Sequence, residues 1–211
     1  MQVPLQHGQG GRITKLRLRT SDPFSNFQNF SKSVLIIADS QLWDVQPWDM
    51  VGASTPFAIL SYSGGGIKHL QALLTYVNTN IGLGNFTHLV VQLGANSVNP
   101  KYYSQNYPFG RQWADELLFW AQNAEQQFGL RVTLVEPTPR RLPSNGILQG
   151  LWIQLKANFR WRLEQQQNNF PNLRFIPNYL TIANLQPNDV HLFPAKAEEH
   201  AFQLIQSVSW P

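Results

Sequence analysis

The 211-residue sequence predicts an α/β protein, a three-layer α/β/α sandwich around a five-stranded, mainly parallel sheet. Three observations carry this expectation. Short runs rich in branched apolar residues recur along the chain: VLIIA (34–38), FAILS (57–61), LVVQL (89–93), VTLVE (132–136) and LRFIP (173–177). Each run is apolar on consecutive positions, the pattern of a strand buried on both faces of a sheet. Segments of helical spacing lie between the runs, and alternation of strand and helix is the signature of parallel strands joined by right-handed crossovers.

The elements follow in order. After the second strand, Ile67, Leu70, Leu74 and Val77 recur at three or four residues and mark one helix face. Trp113, Leu117, Trp120, Ala124 and Phe128 mark a second helix, and Leu148, Leu151, Leu155 and Phe159 a third. Ala197, Ala201, Leu204, Ile205 and Val208 mark the last, which Pro194 suits as a first-turn residue. SQNYPFG (104–110) and PTPRRLPSNG (137–146) read as loops, and EQQQNNFPN (164–172) as a helix end.

Composition narrows the function classes. Hydrophobic residues make up 43% of the chain, ordinary for a globular protein. No stretch of about 18 apolar residues suggests a transmembrane helix, and the first twenty residues lack the apolar core of a secretory signal, so a cytoplasmic or nuclear location is expected. The chain has no cysteine, which excludes disulfides, thiolate zinc sites and cysteine nucleophiles. The net charge of +4 is uneven. Residues 1–32 hold five basic residues (Arg12, Lys15, Arg17, Arg19 and Lys32) against Asp22, and residues 33–211 balance eleven against eleven. Two units are expected: a basic N-terminal arm over 1–32 and a globular domain over 33–211. The stretch 12–19 is a candidate for weak nucleic-acid contact. The favoured alternative is a solvated leader, or an edge strand in RITKLRLRT, where polar and apolar residues alternate.

In an open α/β sheet, ligands bind where strands end at their carboxyl side. The residues there are informative. Asp39 and Ser40 follow the first run, Ser63-Gly64-Gly65-Gly66 the second, Gly94 and Asn96 the third, and PTPRR the fourth; PNDVHL, with His191, precedes the last helix. A hydroxyl, backbone amides, a side-chain amide and an imidazole on one rim are the parts needed for acyl transfer.

These four blocks, in this order, resemble those of the SGNH (GDSL-type) hydrolases. IIADSQ resembles the Gly-Asp-Ser block with Ala38 in place of Gly, and YSGGGIKHL the oxyanion glycine block, with Gly64 the best register and Gly65 the second. VVQLGANSV resembles the Gly-x-Asn-Asp block with Asn96 in place and Ser97 where Asp is usual, and NDVHL the Asp-x-x-His block with His191 in place. The resemblance spans about residues 33–208 and implies a single SGNH/flavodoxin-like domain. It implies a serine esterase or lipase acting on small-molecule or lipid esters, with no cofactor. Ser40 is the implied nucleophile and His191 the implied base, with the N–H groups of Ser40 and Gly64 and the amide of Asn96 as the oxyanion hole. The acid three residues before the histidine is replaced by Asn188, followed by Asp189. Two arrangements stay open: a Ser–His dyad in which a backbone carbonyl orients His191, or Asp189 serving through a shifted loop. Loss of the acid also keeps open a catalytically weakened module that binds an acylated or anionic ligand, and a third reading is a domain of retrotransposon type associated with nucleic acid.

Trp43, Trp48, Arg140 and Arg141 lie near the same rim, and Trp43 and Arg140 are the candidate substrate contacts. Asp39 is expected to organise its turn. His69 and His88 are expected to be structural and His200 to face solvent. No histidine–carboxylate spacing suits a metal, so none is expected.

Overall fold

The computed structural model describes residues 16–47, 53, 55–97, 109–140, 146–187 and 191–208. The strands are β1 (Leu16–Thr20), β2 (Val34–Ala38), β3 (Phe57–Tyr62), β4 (His88–Gln92), β5 (Arg131–Val135) and β6 (Leu173–Ile176). The helices are α1 (Leu70–Asn80), α2 (Phe109–Phe128), α3 (Gly146–Gln167) and α4 (Pro194–Gln206). All five apolar runs form strands, and each expected helix face forms a helix.

The sheet has six strands where five were expected, in the order β1-β3-β2-β4-β5-β6. The sixth is β1, which pairs antiparallel with β3, while every other pairing is parallel. It lies within RITKLRLRT, where the alternation of polar and apolar residues marks an edge strand, and it forms the outer strand of the sheet. Leu16 and Leu18 pack against the core cluster that contains Leu60, whereas Arg17 and Arg19 reach the loop beyond β2. A strand that carries arginines on one face suits only a sheet edge.

Every residue of β2, β3 and β4 is buried. Alternation in β2 shares its side chains between two cores. Leu35 and Ile37 join residues of α1, α2 and α3 on one face, such as Leu73, Leu117 and Phe159. Val34, Ile36 and Ala38 join Ala201, Leu204 and Ile205 of α4 on the other. Helix, sheet and helix thus make three layers. Chain progress reverses between β2 and β4, since β2 crosses to β3 on one side and the later strands build out on the other. That switch opens a crevice above the carboxyl ends of these two strands, where Ser40 and Asn96 lie. No helix among the described residues is long and apolar enough to cross a membrane.

Candidate active site

Ser40 opens a single 3-10 turn, Ser40–Leu42, at the end of β2. Asp39 caps that turn, its Oδ1 accepting the N–H of Gln41 at 3.1 Å. The backbone N–H of Asp39 donates to Gln92 O at 3.2 Å, which ties the ends of β2 and β4 together, and the N–H of Ala95 faces the carboxylate. This is the turn-organising role expected of it. Asp39 is 2% exposed. Burial pushes its carboxyl up to about 6, against the opposing pull of the N–H groups of Gln41 and Ala95 and of the charges on His191 and Arg140.

The loop after Ser40 is held from the far side by β1. The buried Arg19 donates Nη1 to the carbonyls of Leu42 at 2.7 Å and Val45 at 2.6 Å, and also to that of Trp43; its Nη2 reaches Ser61 Oγ on β3. Arg17 adds a bond to Trp43 O at 3.0 Å and an ion pair with Asp44 at 3.6 Å. A guanidinium has five donors and no acceptor, so it suits a cluster of carbonyls that a tight turn leaves without partners. Two of the four cations in 12–19 are therefore engaged inside the molecule; Arg12 and Lys15 lie outside the described residues, as do Trp48 and Arg141.

The glycine block follows β3. Gly64 has φ +72, a left-handed conformation that favours glycine. The N–H of Gly65 closes the turn onto Tyr62 O at 2.9 Å, and the N–H of Gly66 donates to His69 Nδ1 at 3.0 Å. Those two amides are taken. The N–H groups of Ser40 and Gly64 donate to no other described group, which favours the Gly64 register over Gly65. Ser97 stands where the family pattern has Asp, and its Oγ accepts the N–H of Ile67 at 2.7 Å. A side chain at Gly66 would collide with that hydroxyl.

Asn96 sits between these parts. Its Nδ2 donates to Gly65 O at 2.9 Å, and its Oδ1 accepts from Arg140 Nη1 at 3.2 Å. The same Nη1 donates to Ala95 O at 3.1 Å. Because arginine offers only donors, the amide can face it only with oxygen. Arg140 thereby fixes which way the Asn96 NH2 group points. Sequence reasoning placed Arg140 at the rim but had no signal for this contact across 44 residues.

His191 is half-buried just before α4. Its carbonyl accepts from Gln186 N at 2.8 Å, and the next residue, Leu192, donates its N–H to Gln41 Oε1 at 3.0 Å. The turn that carries Ser40 thus also anchors the segment that carries His191. Asn188 and Asp189 lie outside the described residues.

The other described histidines make contacts within the fold. His69 caps the turn before α1, and the buried His88 contacts Thr87 Oγ1 at 2.8 Å. His200 is a correction: it does not face solvent but is 2% exposed, with Nε2 3.0 Å from Gln92 Oε1 and its ring 5.5 Å from that of Tyr179. Burial lowers its pKa to about 4. The signal was present, since His200 lies three residues after Ala197 and four before Leu204, on the apolar face of α4.

No known family profile matches the sequence, and no curated protein matches it. Solved structures do. A GDSL-like lipase from Bacteroides thetaiotaomicron superposes with a TM-score of 0.59 at 14% identity, covering 88% of this chain and 99% of that one. A psychrotrophic esterase from a Pseudoalteromonas species gives 0.56 at 13% identity, covering 84% and 96%. A carbohydrate acetylesterase family member from Sinorhizobium meliloti gives 0.56 at 17%, also covering 84% and 96%. With the strand order, the crevice at the switch between β2 and β4, and these superpositions over nearly the full length of each relative, the fold is that of the SGNH (GDSL-type) hydrolase superfamily.

Proposed function

We propose that the chain is a serine ester hydrolase of the SGNH type. The observation that carries this reading is the set of ties around one crevice. Asp39 bonds across from β2 to Gln92 at the end of β4, Asn96 bonds to the glycine turn, and Gln41 bonds to the segment of His191. The segments that carry Ser40, the glycine turn, Asn96 and His191 are thereby tied to one another by hydrogen bonds of their neighbouring residues, which supports the reading of one shared site.

In this reading Ser40 Oγ attacks the ester carbonyl while His191 takes the hydroxyl proton. The carbonyl oxygen gains the negative charge and is held by the N–H groups of Ser40 and Gly64 and by the second N–H of the Asn96 amide. Collapse breaks the bond to the leaving alcohol, which receives the proton from His191 and departs, leaving an acyl ester on Ser40. Water, deprotonated by His191, then attacks that ester and releases the carboxylic acid. Arg140 acts as a positioning residue through Asn96, and Trp43 and Arg140 are the candidate substrate contacts. His191 is oriented either by a backbone carbonyl or by Asp189.

The test is hydrolysis of p-nitrophenyl acetate and butyrate by the wild type, Ser40→Ala and Asn188→Asp. Turnover by the wild type that Ser40→Ala abolishes supports the reading. An inert wild type overturns it; turnover restored by Asn188→Asp would then identify an enzyme that lost its acid, and silence in all three would favour a binding module.

A further inference from the structure

A second concavity shares a chain segment with the crevice. It is a groove of about 720 Å³ between α3 and the segments that follow β5 and β6. Its wall is apolar, formed by Trp152, Ile153, Trp161 and Ile182, with Pro139 at one end. Pro139 is the chain neighbour of Arg140, whose guanidinium fixes Asn96, so one end of the groove lies on the same segment as that contact. Ile153 is 59% exposed and Trp161 46%, an unusual amount of bare apolar surface for one helix face.

The floor of the groove is charged. Glu136, 2% exposed at the end of β5, bonds Arg160 Nη2 through Oε2 at 2.8 Å and lies 3.7 Å from Lys156 Nζ through Oε1. Two cations share one buried carboxylate, which leaves one positive charge in excess. Arg160 Nε is shielded from water yet has no hydrogen-bond partner among the described residues. The other acid of the lining, Glu164, is exposed one helical turn beyond Arg160, where water screens it. An apolar trough with one uncompensated cation at its base is complementary to a molecule with an aliphatic or aromatic body and a single anionic group.

We propose that this groove binds an amphipathic anion and, on the esterase reading of Ser40, holds the part of the ester distal to the scissile bond. Two measurements test it. The first needs no turnover: fluorescence titration with 1-anilinonaphthalene-8-sulfonate and with N-phenyl-1-naphthylamine, which keeps the rings and lacks the sulfonate. The sulfonate should bind the wild type about tenfold more tightly, and Arg160→Gln should bring the two probes to parity. Ile153→Glu, at an exposed position where folding is not at stake, should abolish sulfonate binding at an unchanged melting temperature. Equal affinity of the two probes for the wild type, or sulfonate binding that survives Ile153→Glu, overturns the groove assignment. The second compares kcat/KM for the mono-p-nitrophenyl ester of suberic acid and for p-nitrophenyl octanoate. The acid-tailed ester should be preferred about tenfold, and the preference should vanish in Arg160→Gln. Equal rates in the wild type, beside intact sulfonate binding, overturn the substrate role. Absence of all turnover overturns the esterase reading, and the probe titration still decides the groove.

Discussion

Asp39 and Glu136 occupy equivalent places, each the first residue past a central strand and each 2% exposed, yet they are stabilised in opposite ways. Glu136 is met by Arg160 and Lys156 and accepts the N–H of Asn178 at 2.9 Å. Asp39 has no ion pair among the described residues. It is met by backbone N–H groups and by the more distant charges of His191 and Arg140, and its carboxyl rises to about 6. A buried carboxylate needs either a cation or a set of dipoles. The groove uses cations, which bind a charged group and also leave charge over for a ligand. The crevice uses dipoles, which hold the Ser40 turn without an ion pair to Asp39 among the described residues.

That contrast predicts different responses when each acid is made neutral. The largest effect on folding is expected at Glu136→Gln, which leaves Arg160 and Lys156 facing each other without a buried counter-charge. Loss of about 1–3 kcal/mol, the cost of a charged hydrogen bond whose arginine is 43% exposed, should appear in urea denaturation. A loss below about 1 kcal/mol would mean that the two cations reach water and the cluster is not a sealed pair.

Next comes the chemistry at the dipole-held end. Asn96→Ala should lower kcat by about 10²–10³ with little change in melting temperature, the usual cost of one oxyanion donor. Arg140→Met should lower kcat with KM nearly unchanged, and should add almost nothing in the Asn96→Ala background, because it acts through that amide. Additive effects would give Arg140 a role of its own at the substrate.

Proton linkage separates the two regions more finely. The folded Asp39 carboxyl, at about 6, lies above its unfolded value of 3.8. The native state therefore binds more protons between these values, and this residue's contribution to stability falls as pH rises from about 4 to 6, by about 3 kcal/mol in all. His200 has the opposite sign. Its folded pKa, about 4, lies below the usual 6.5, so the stability it contributes is present above 6.5 and is lost as pH falls toward 4. His88 is lowered in the same sense by burial. The wild type should thus lose stability on acidification from pH 7 to 5. Asp39→Asn should steepen that loss by about 1 kcal/mol and His200→Gln should reduce it by about 2 kcal/mol, both read from urea midpoints. If Asp39→Asn left the slope unchanged, its carboxylate would be better solvated than its burial implies.

How much of this was legible depended on whether a signal was local. The parallel strands were readable because a strand buried on both faces has to be apolar at every position, as VLIIA is. Ser40, Asn96 and His191 could be singled out as candidates because chemistry at a strand end calls for particular residue types at particular places. Arg19 and Arg140 were on the page as charges, but their partners lie 23 to 42 and 44 to 45 residues away and belong to no pattern with a period. The groove was half legible. Lys156 and Arg160 are spaced to share one face of α3, but only tertiary packing brings Glu136 beneath them.

The edge strand has a practical consequence for where this protein can be cut. A fragment beginning at Ser33 keeps every residue of the four-block motif, and from the motif alone it is a complete domain. It would nevertheless lack Arg19, releasing the carbonyls of Leu42, Trp43 and Val45 next to Ser40. It would also bare the outer edge of β3, a fully buried strand, as a template for pairing with other chains. Insolubility or inactivity in such a fragment would then report on the missing strand and carry no information about Ser40. A minimal unit has to begin before Leu16.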